Sequence, residues 1–305
     1  MLWIAQERGF DREHGLQLDL KTYQTGREAL AHLSANPPVL ACCTEFVLVQ
    51  DILAGATGLA CVSVLSSGEN NEVIARRDRG VSRPEDLRGK TIGVPRTTSA
   101  EFSLGRFLTL NHIAPTEVTI VDIKPLDLAE ALAAGKVDAV QIWEPIIYEV
   151  VKKVGANAIT WPAQGGQDLY WLLVARREVV KGNPAAIEKL MLALMEAADF
   201  MKQQPGEAQA VKARWLKVPL ARLQSGKFPK RYELFLDQAL ILAMEDEARW
   251  MIDNKRTGQT RVPDFLDYFC ATPLARIAPK AVSMVIPQSE RPVIPGASGT
   301  GQEPR

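Results

Sequence analysis

The sequence predicts an α/β protein built as two lobes, and three observations carry the prediction. Apolar runs of strand length alternate with helical patterns: Val39–Cys43, then Phe46–Leu53, then Cys61–Leu65. That alternation implies a parallel sheet covered by helices. A helix–breaker–strand–glutamate unit also occurs twice. Arg27-Glu28-Ala29-Leu30-Ala31 leads to Val39–Cys43 and Thr44-Glu45, and Ala129-Glu130-Ala131-Leu132-Ala133 leads to Val137–Trp143 and Glu144. The first copy is longer at its breaker, with 17 positions from Glu28 to Glu45 against 14 from Glu130 to Glu144. Finally, 305 residues with 47% hydrophobic and 24% charged content suit one large domain or two lobes with a packed core.

In chain order, Leu2, Ile4, Ala5 and Phe10 fit a short helix closed near Gly9, and Asp11–Gly15 reads as a polar turn. Leu16, Leu18 and Leu20 alternate with Gln17, Asp19 and Lys21, the period of a strand with one buried face. Gly26–Leu33 is a helix stopped by Asn36-Pro37-Pro38. The uninterrupted run Val39–Cys43 suits a strand covered on both faces. Cys61–Leu65 runs into the polar Ser66-Ser67-Gly68-Glu69-Asn70-Asn71, from which Val73–Ala75 leaves as a short strand. Ser82 is placed as the cap of a helical turn. Val118–Ile123 is the next strand, and Leu126–Ala134 the next helix, ended by Gly135. Ala139–Ile142 is a strand, and Trp143-Glu144-Pro145 opens a helix whose first turn suits proline.

Beyond the flexible Gln164-Gly165-Gly166-Gln167, Tyr170–Ala175 is a strand, and the rest reads as helical. From Pro184 onward Ile187, Leu190, Met191, Leu194 and Ala198 form one stripe; further helices cover Glu207–Leu216 and Arg231–Asp253, with a short one over Pro263–Phe269. Leu240, Met244, Trp250 and Met251 are assigned to the core. The tail 287–305, rich in Pro, Gly, Ser and Gln, is expected to be disordered.

The stretch Asp86–Glu101 carries most information about function. It parses as a turn, the strand Thr91-Ile92-Gly93-Val94, a hydroxyl-rich loop, and a helix through Phe102, Leu104, Phe107, Leu108 and Leu110. Thr97, Thr98 and Ser99 therefore sit where unpaired backbone N–H groups and a partial positive charge face outward. Hydroxyls there either cap the helix or join the N–H groups in holding a polar ligand. Glu45 and Glu144 each follow a strand and Glu101 lies in a first helical turn, places where a carboxylate either favours a helix start or faces a ligand. Two such carboxylates in one cleft disfavour a plain anion and favour an amine or amidine-like edge.

Several classes are excluded. Lys+Arg and Asp+Glu both number 36, so there is no electrostatic case for nucleic acid or an anionic membrane surface. Cys42, Cys43, Cys61 and Cys270 form no CxxC pair, and three histidines are too scattered for a zinc site, so no metal is expected. Adjacent Cys42 and Cys43 read as buried thiols. No apolar run approaches the roughly 20 residues that span a bilayer. Met1-Leu2-Trp3-Ile4-Ala5 lacks the basic start and long apolar segment of a signal peptide.

The chain resembles the extracytoplasmic substrate-binding proteins of ABC importers, in the branch that binds nitrate, sulfonates, taurine and thiamine-pyrimidine precursors. The resemblance rests on Ile4–Phe10 with His14-Gly15-Leu16, on Asp86–Val94, on Ala131-Leu132 with Gly135–Ala139, and on Trp143-Glu144-Pro145. It implies a periplasmic-binding-protein-like fold of type II, two α/β lobes with the ligand in the cleft between them. Lobe one would comprise 1–72 plus 168–286 and lobe two 73–167, with crossovers near Gly68–Glu72 and Gly166–Tyr170. Family members have a further strand before the Leu2–Ala5 segment, so the start is read as truncated or misplaced, and lobe one is expected to lack a central strand.

Ligands of such sheets bind outside the carboxyl ends of the strands. That gathers Thr44, Glu45, Ser66, Ser67, Thr97, Thr98, Ser99, Trp143 and Glu144 around one cleft. Tyr170 is preferred to Trp171 as a further contact because it lies nearer the crossover. The resemblance implies a small-molecule ligand, a membrane permease as partner, an extracytoplasmic location, a monomer, and neither cofactor nor catalytic residue. The alternative is an enzyme on the same fold, resembling the pyrimidine synthases that hold pyridoxal phosphate or a menaquinone-pathway dehydratase. Cys42-Cys43 is similar to the former's cysteine-rich strand end, but the full motif is absent.

Overall fold

In a computed structural model, residues 1–35, 40–225 and 231–285 are described. The helix stop expected at Asn36-Pro37-Pro38 and the tail from 287 lie outside them. The strands are β1 (Leu40–Thr44), β2 (Leu59–Gly68), β3 (Asn71–Arg76), β4 (Thr91–Val94), β5 (Thr119–Asp122), β6 (Ala139–Trp143), β7 (Ala158–Pro162), β8 (Leu169–Arg176) and β9 (Arg231–Phe235). They form two sheets, ordered β1-β8-β2-β9 and β5-β4-β6-β3-β7.

The second sheet is parallel in part, β4 pairing in parallel with β5 and β6. β3 lies antiparallel between β6 and β7. Its side chains divide by the period of two. Val73 and Ala75 pack with Ile92, Val94, Leu104 and Phe107 under the helix Ser99–Leu110. Ile74 packs on the other face with Val140, Leu128, Leu132, Ile147 and Val150, from the helices Leu128–Ala133 and Ile146–Val154. Both faces are therefore covered, which is why these strands read as unbroken apolar runs.

The first sheet corrects the expectation of a parallel arrangement. β1 and β2 do not pair with each other; β8 lies between them and is antiparallel to both. The returning strand, far along the chain, thus lies inside this sheet between two strands of the N-terminal segment. β2 is buried along its whole length.

Other segments also differ from the sequence reading. Leu16–Leu20 forms no strand, although Leu16, Leu18 and Leu20 are half-buried and Gln17 and Asp19 exposed. Side chains replace the ladder: Leu18 N donates to Asp11 Oδ2 at 3.1 Å and Leu18 O accepts from Gln6 Nε2 at 2.7 Å. Asp11 is consequently buried, and the polar turn begins as the short helix Phe10–Glu13. Arg231–Asp253 is not one helix. Its first residues form β9, and Asp237 caps the helix Gln238–Asp253 by accepting from Leu240 N at 3.1 Å. The short helix of Pro263–Phe269 is a single 3-10 turn, Phe265–Tyr268.

The chain passes from β2 to β3 through Glu69-Asn70 and returns from β7 to β8 through 163–168. Gln164, 4% exposed, ties the two crossings together. Its Oε1 accepts from Asn70 N at 2.6 Å, Asn71 N at 2.9 Å and Asn71 Nδ2 at 3.2 Å. Its Nε2 donates to Gly68 O at 3.3 Å and Gln167 O at 2.8 Å. Among the described residues, no helix is long and apolar enough to cross a membrane.

Candidate functional site

The helix Ser99–Leu110 begins at a turn that the sequence specifies closely. Thr97 adopts φ 58, and its N donates to Glu101 Oε2 at 2.9 Å. Thr98 caps the helix: Oγ1 accepts from Ala100 N at 3.3 Å and donates to Pro95 O at 2.7 Å. Glu101 forms ion pairs with Arg96 at 3.3 Å and Arg256 at 2.8 Å. The three hydroxyls thus divide. Thr97 is exposed and bonds Arg96 O at 2.6 Å, Thr98 serves the cap, and Ser99 faces a cavity.

That cavity lies between the two sheets. Ser99, Phe102, Ser103 and Arg106 form one wall; Glu45 and Glu247 form another, with Gln164, Gln167, Asp168 and Leu169 of the return crossing at its side. Water centres have about 10 Å³ in it, roughly one water molecule. Phe102 of the first wall also meets Phe46 and Trp250, with the three ring centroids 5.6–6.0 Å apart. Such edge and stacked contacts add about 0.5–1.5 kcal/mol per pair beyond buried area.

Glu45 opens the helix Glu45–Leu53 directly after β1. Its Oε1 accepts from Tyr170 N at 3.0 Å, whereas Oε2 meets no donor among the described residues. Burial pushes its carboxyl up to about 8, with Asp168 acting in the same direction and the backbone hydrogen bonds opposing. Glu247 lies on the helix Gln238–Asp253; burial, then Glu45 and Asp246, hold its carboxyl well above the usual range. Its Oε2 also lacks a partner among the described residues.

Of the residues the sequence nominates, Glu45 and Ser99 line this cavity. Thr44 precedes Glu45, and its Oγ1 is buried with no partner among the described residues. Thr44 and Ser66 flank Trp171 across β8, while Ser67 flanks Tyr170. Tyr170 is buried against Phe235 at 6.3 Å, whereas Trp171 is 37% exposed. Trp143 ends β6 opposite Asn71, and Glu144 N donates to Asn70 O at 3.3 Å, so both stand beside the first crossing. Glu247, Asp168, Gln164, Ser103 and Arg106 escaped the sequence reading. A signal existed for two groups of them. Glu247 is an acid on the stripe of Leu240, Met244 and Met251, and Ser99, Ser103 and Arg106 share one helical face.

The sheet orders, the two crossings and the cavity between the sheets are those of the periplasmic binding protein fold. The aliphatic sulphonate binding protein SsuA from Escherichia coli superposes with a TM-score of 0.76 over 88% of this chain and 92% of its own, at 16% identity. The chain belongs to the NMT1/THI5-like family, whose profile matches residues 1–208. It is 29% identical over 231 residues to a Brucella abortus (strain 2308) protein whose name assigns it provisionally to the binding proteins, covering 73% of this chain and 69% of that one. It is 26% identical over 242 residues to the taurine-binding periplasmic protein of Escherichia coli (strain K12), covering 72% and 68%.

Proposed function

We propose that this chain is the solute-binding component of an ABC importer, which captures a small polar or zwitterionic molecule by closing two lobes on it. The lobes are 1–72 with 168–286, and 73–167; the site draws on Thr44, Glu45, Ser66, Ser67, Thr97, Thr98, Ser99, Trp143, Glu144 and Tyr170. The observation that carries the reading is the cavity between the two sheets, lined by Glu45 at the helix start after β1 and Ser99 at the helix start after β4. Family membership and the names of the relatives support it. The partner is a membrane permease, the location extracytoplasmic, and the working form a monomer. The enzyme alternative is not favoured: burial raises the thiols of Cys42, to about 12, and of Cys43 and Cys61, away from the reactive thiolate. Isothermal titration against taurine, alkanesulfonates, nitrate and aminopyrimidines tests the proposal, with native mass spectrometry of the purified protein to find retained ligand. Binding of one class is expected. Silence in both measurements overturns the reading.

A further inference from the structure

We infer that the cavity is a cation subsite, which seats the protonated amine of the solute between the carboxyl groups of Glu45 and Glu247, one of them ionised. The inference rests on the solute-binding reading and narrows it to amine-bearing ligands. Glu45 and Glu247 come from different helices, are each 2% exposed, line the same space, and each have one oxygen without a partner among the described residues. Two unsatisfied carboxyl oxygens in one buried site are costly, and call for a donor that arrives from outside.

The surrounding charges do not supply that donor. Asp168 and Asp246 are acidic and act on Glu45 and Glu247 respectively. Arg106 stands on the wall, but its Nη1 lies 3.6 Å from Asp246 Oδ2 and its Nε donates to Gln164 O at 2.8 Å. Arg96 and Arg256 are held by Glu101. Size points the same way. The space accepts about one water, and an –NH3⁺ group is of that size with three donors to give. A sulfonate or nitrate is larger and would meet two carboxyl groups.

The chemistry fixes a proton balance. Without a cation, burial and mutual repulsion keep protons on the carboxyl groups. When an alkylammonium enters, its charge favours the carboxylate, and a displaced carboxyl proton passes to the buffer. No covalent bond changes. Affinity for a permanently protonated amine therefore rises with pH across the neutral range.

Methylammonium chloride is the probe, compared with sodium chloride and sodium methanesulfonate at equal ionic strength by thermal unfolding of the full chain. Methylammonium alone is expected to raise the melting temperature, with at least tenfold tighter apparent binding at pH 8 than at pH 6. Glu247→Gln and Glu45→Gln should each lose at least tenfold in that binding without lowering the melting temperature of the unliganded protein. Titration of the wild-type protein in buffers of different ionisation heat should show close to one proton released at pH 7, a readout independent of either variant. Equal stabilisation by sodium chloride, stabilisation by methanesulfonate alone, no released proton, or an unchanged Glu247→Gln would each overturn the inference. Failure of the two proposals can be told apart. A nitrate or amine-free sulfonate that binds as tightly as its amine-bearing counterpart removes the subsite and leaves the solute-binding reading. Methylammonium binding through both glutamates, with no solute found in the wider panel, supports the subsite and removes the importer role.

Discussion

Glu45 shows at single-residue scale how much the sequence discloses. Its place after a strand of apolar residues, repeated by Glu144 after β6, was legible from spacing alone. Its burial was not, because burial depends on the helix Gln238–Asp253, nearly 200 positions away, which brings Glu247 against it. The consequence for stability has a definite sign. Between about 4.5 and about 8 the folded unliganded chain keeps a proton on Glu45 that the unfolded chain has released. The unfolded state then binds fewer protons, so stability falls as pH rises through that window. Urea unfolding at pH 5 and pH 8 should show the loss, and Glu45→Gln should reduce the difference; an identical slope in the variant would refute the assignment. Thr98 gives a second residue-scale expectation. Its hydroxyl is engaged by Pro95 O and Ala100 N, so Thr98→Ala should cost about 1 kcal/mol of stability through the lost cap, read from the urea midpoint.

At the scale of elements, periodicity found the strands that are buried on both faces and failed where pairing decides. β4 and β6 were read closely because each is a short apolar run between breakers. Leu16–Leu20 carries a strand pattern yet has no ladder, since Asp11 and Gln6 take up the backbone groups of Leu18. β9 was hidden inside a helical reading, although Asp237 marks the true start of the helix as its cap. The packing of that helix against Ser99–Leu110 depends on Gly105, where an added Cβ would lie 2.5 Å from the Trp250 ring. Ala is the better helix former, so intrinsic propensity alone would make Gly105→Ala stabilising. The close approach reverses the sign: the ring must move, and with it the contacts to Phe46 and Phe102. Gly105→Ala should lose about 1–3 kcal/mol as overpacking. A gain in the urea midpoint would show that the two helices do not meet this way.

For the whole molecule, the two sheets are joined by two chain crossings, and Gln164 bonds to residues of both. Glu69 adds a further tie, its Oε1 accepting from Gly166 N at 2.8 Å. No sequence pattern singles out Gln164, because its partners Gly68, Asn70 and Asn71 lie more than 90 positions earlier. A side-chain amide in this place can hold both crossings in register while each crossing flexes, as hinge closure requires. Gln164→Ala leaves the buried Asn71 N–H and its side-chain amide without this acceptor and frees Gly68 O from its donor. Each orphaned buried group costs about 1–3 kcal/mol, and partial rescue by water sets the expected loss near 2–3 kcal/mol. The same change should alter the spread of lobe positions, since the ties at the crossings limit how far the sheets separate. Small-angle scattering of the unliganded variant should therefore give a larger radius of gyration than the wild type, and ligand should restore the compact value at a higher concentration. A variant that unfolds earlier but scatters identically would make Gln164 a stabilising residue only.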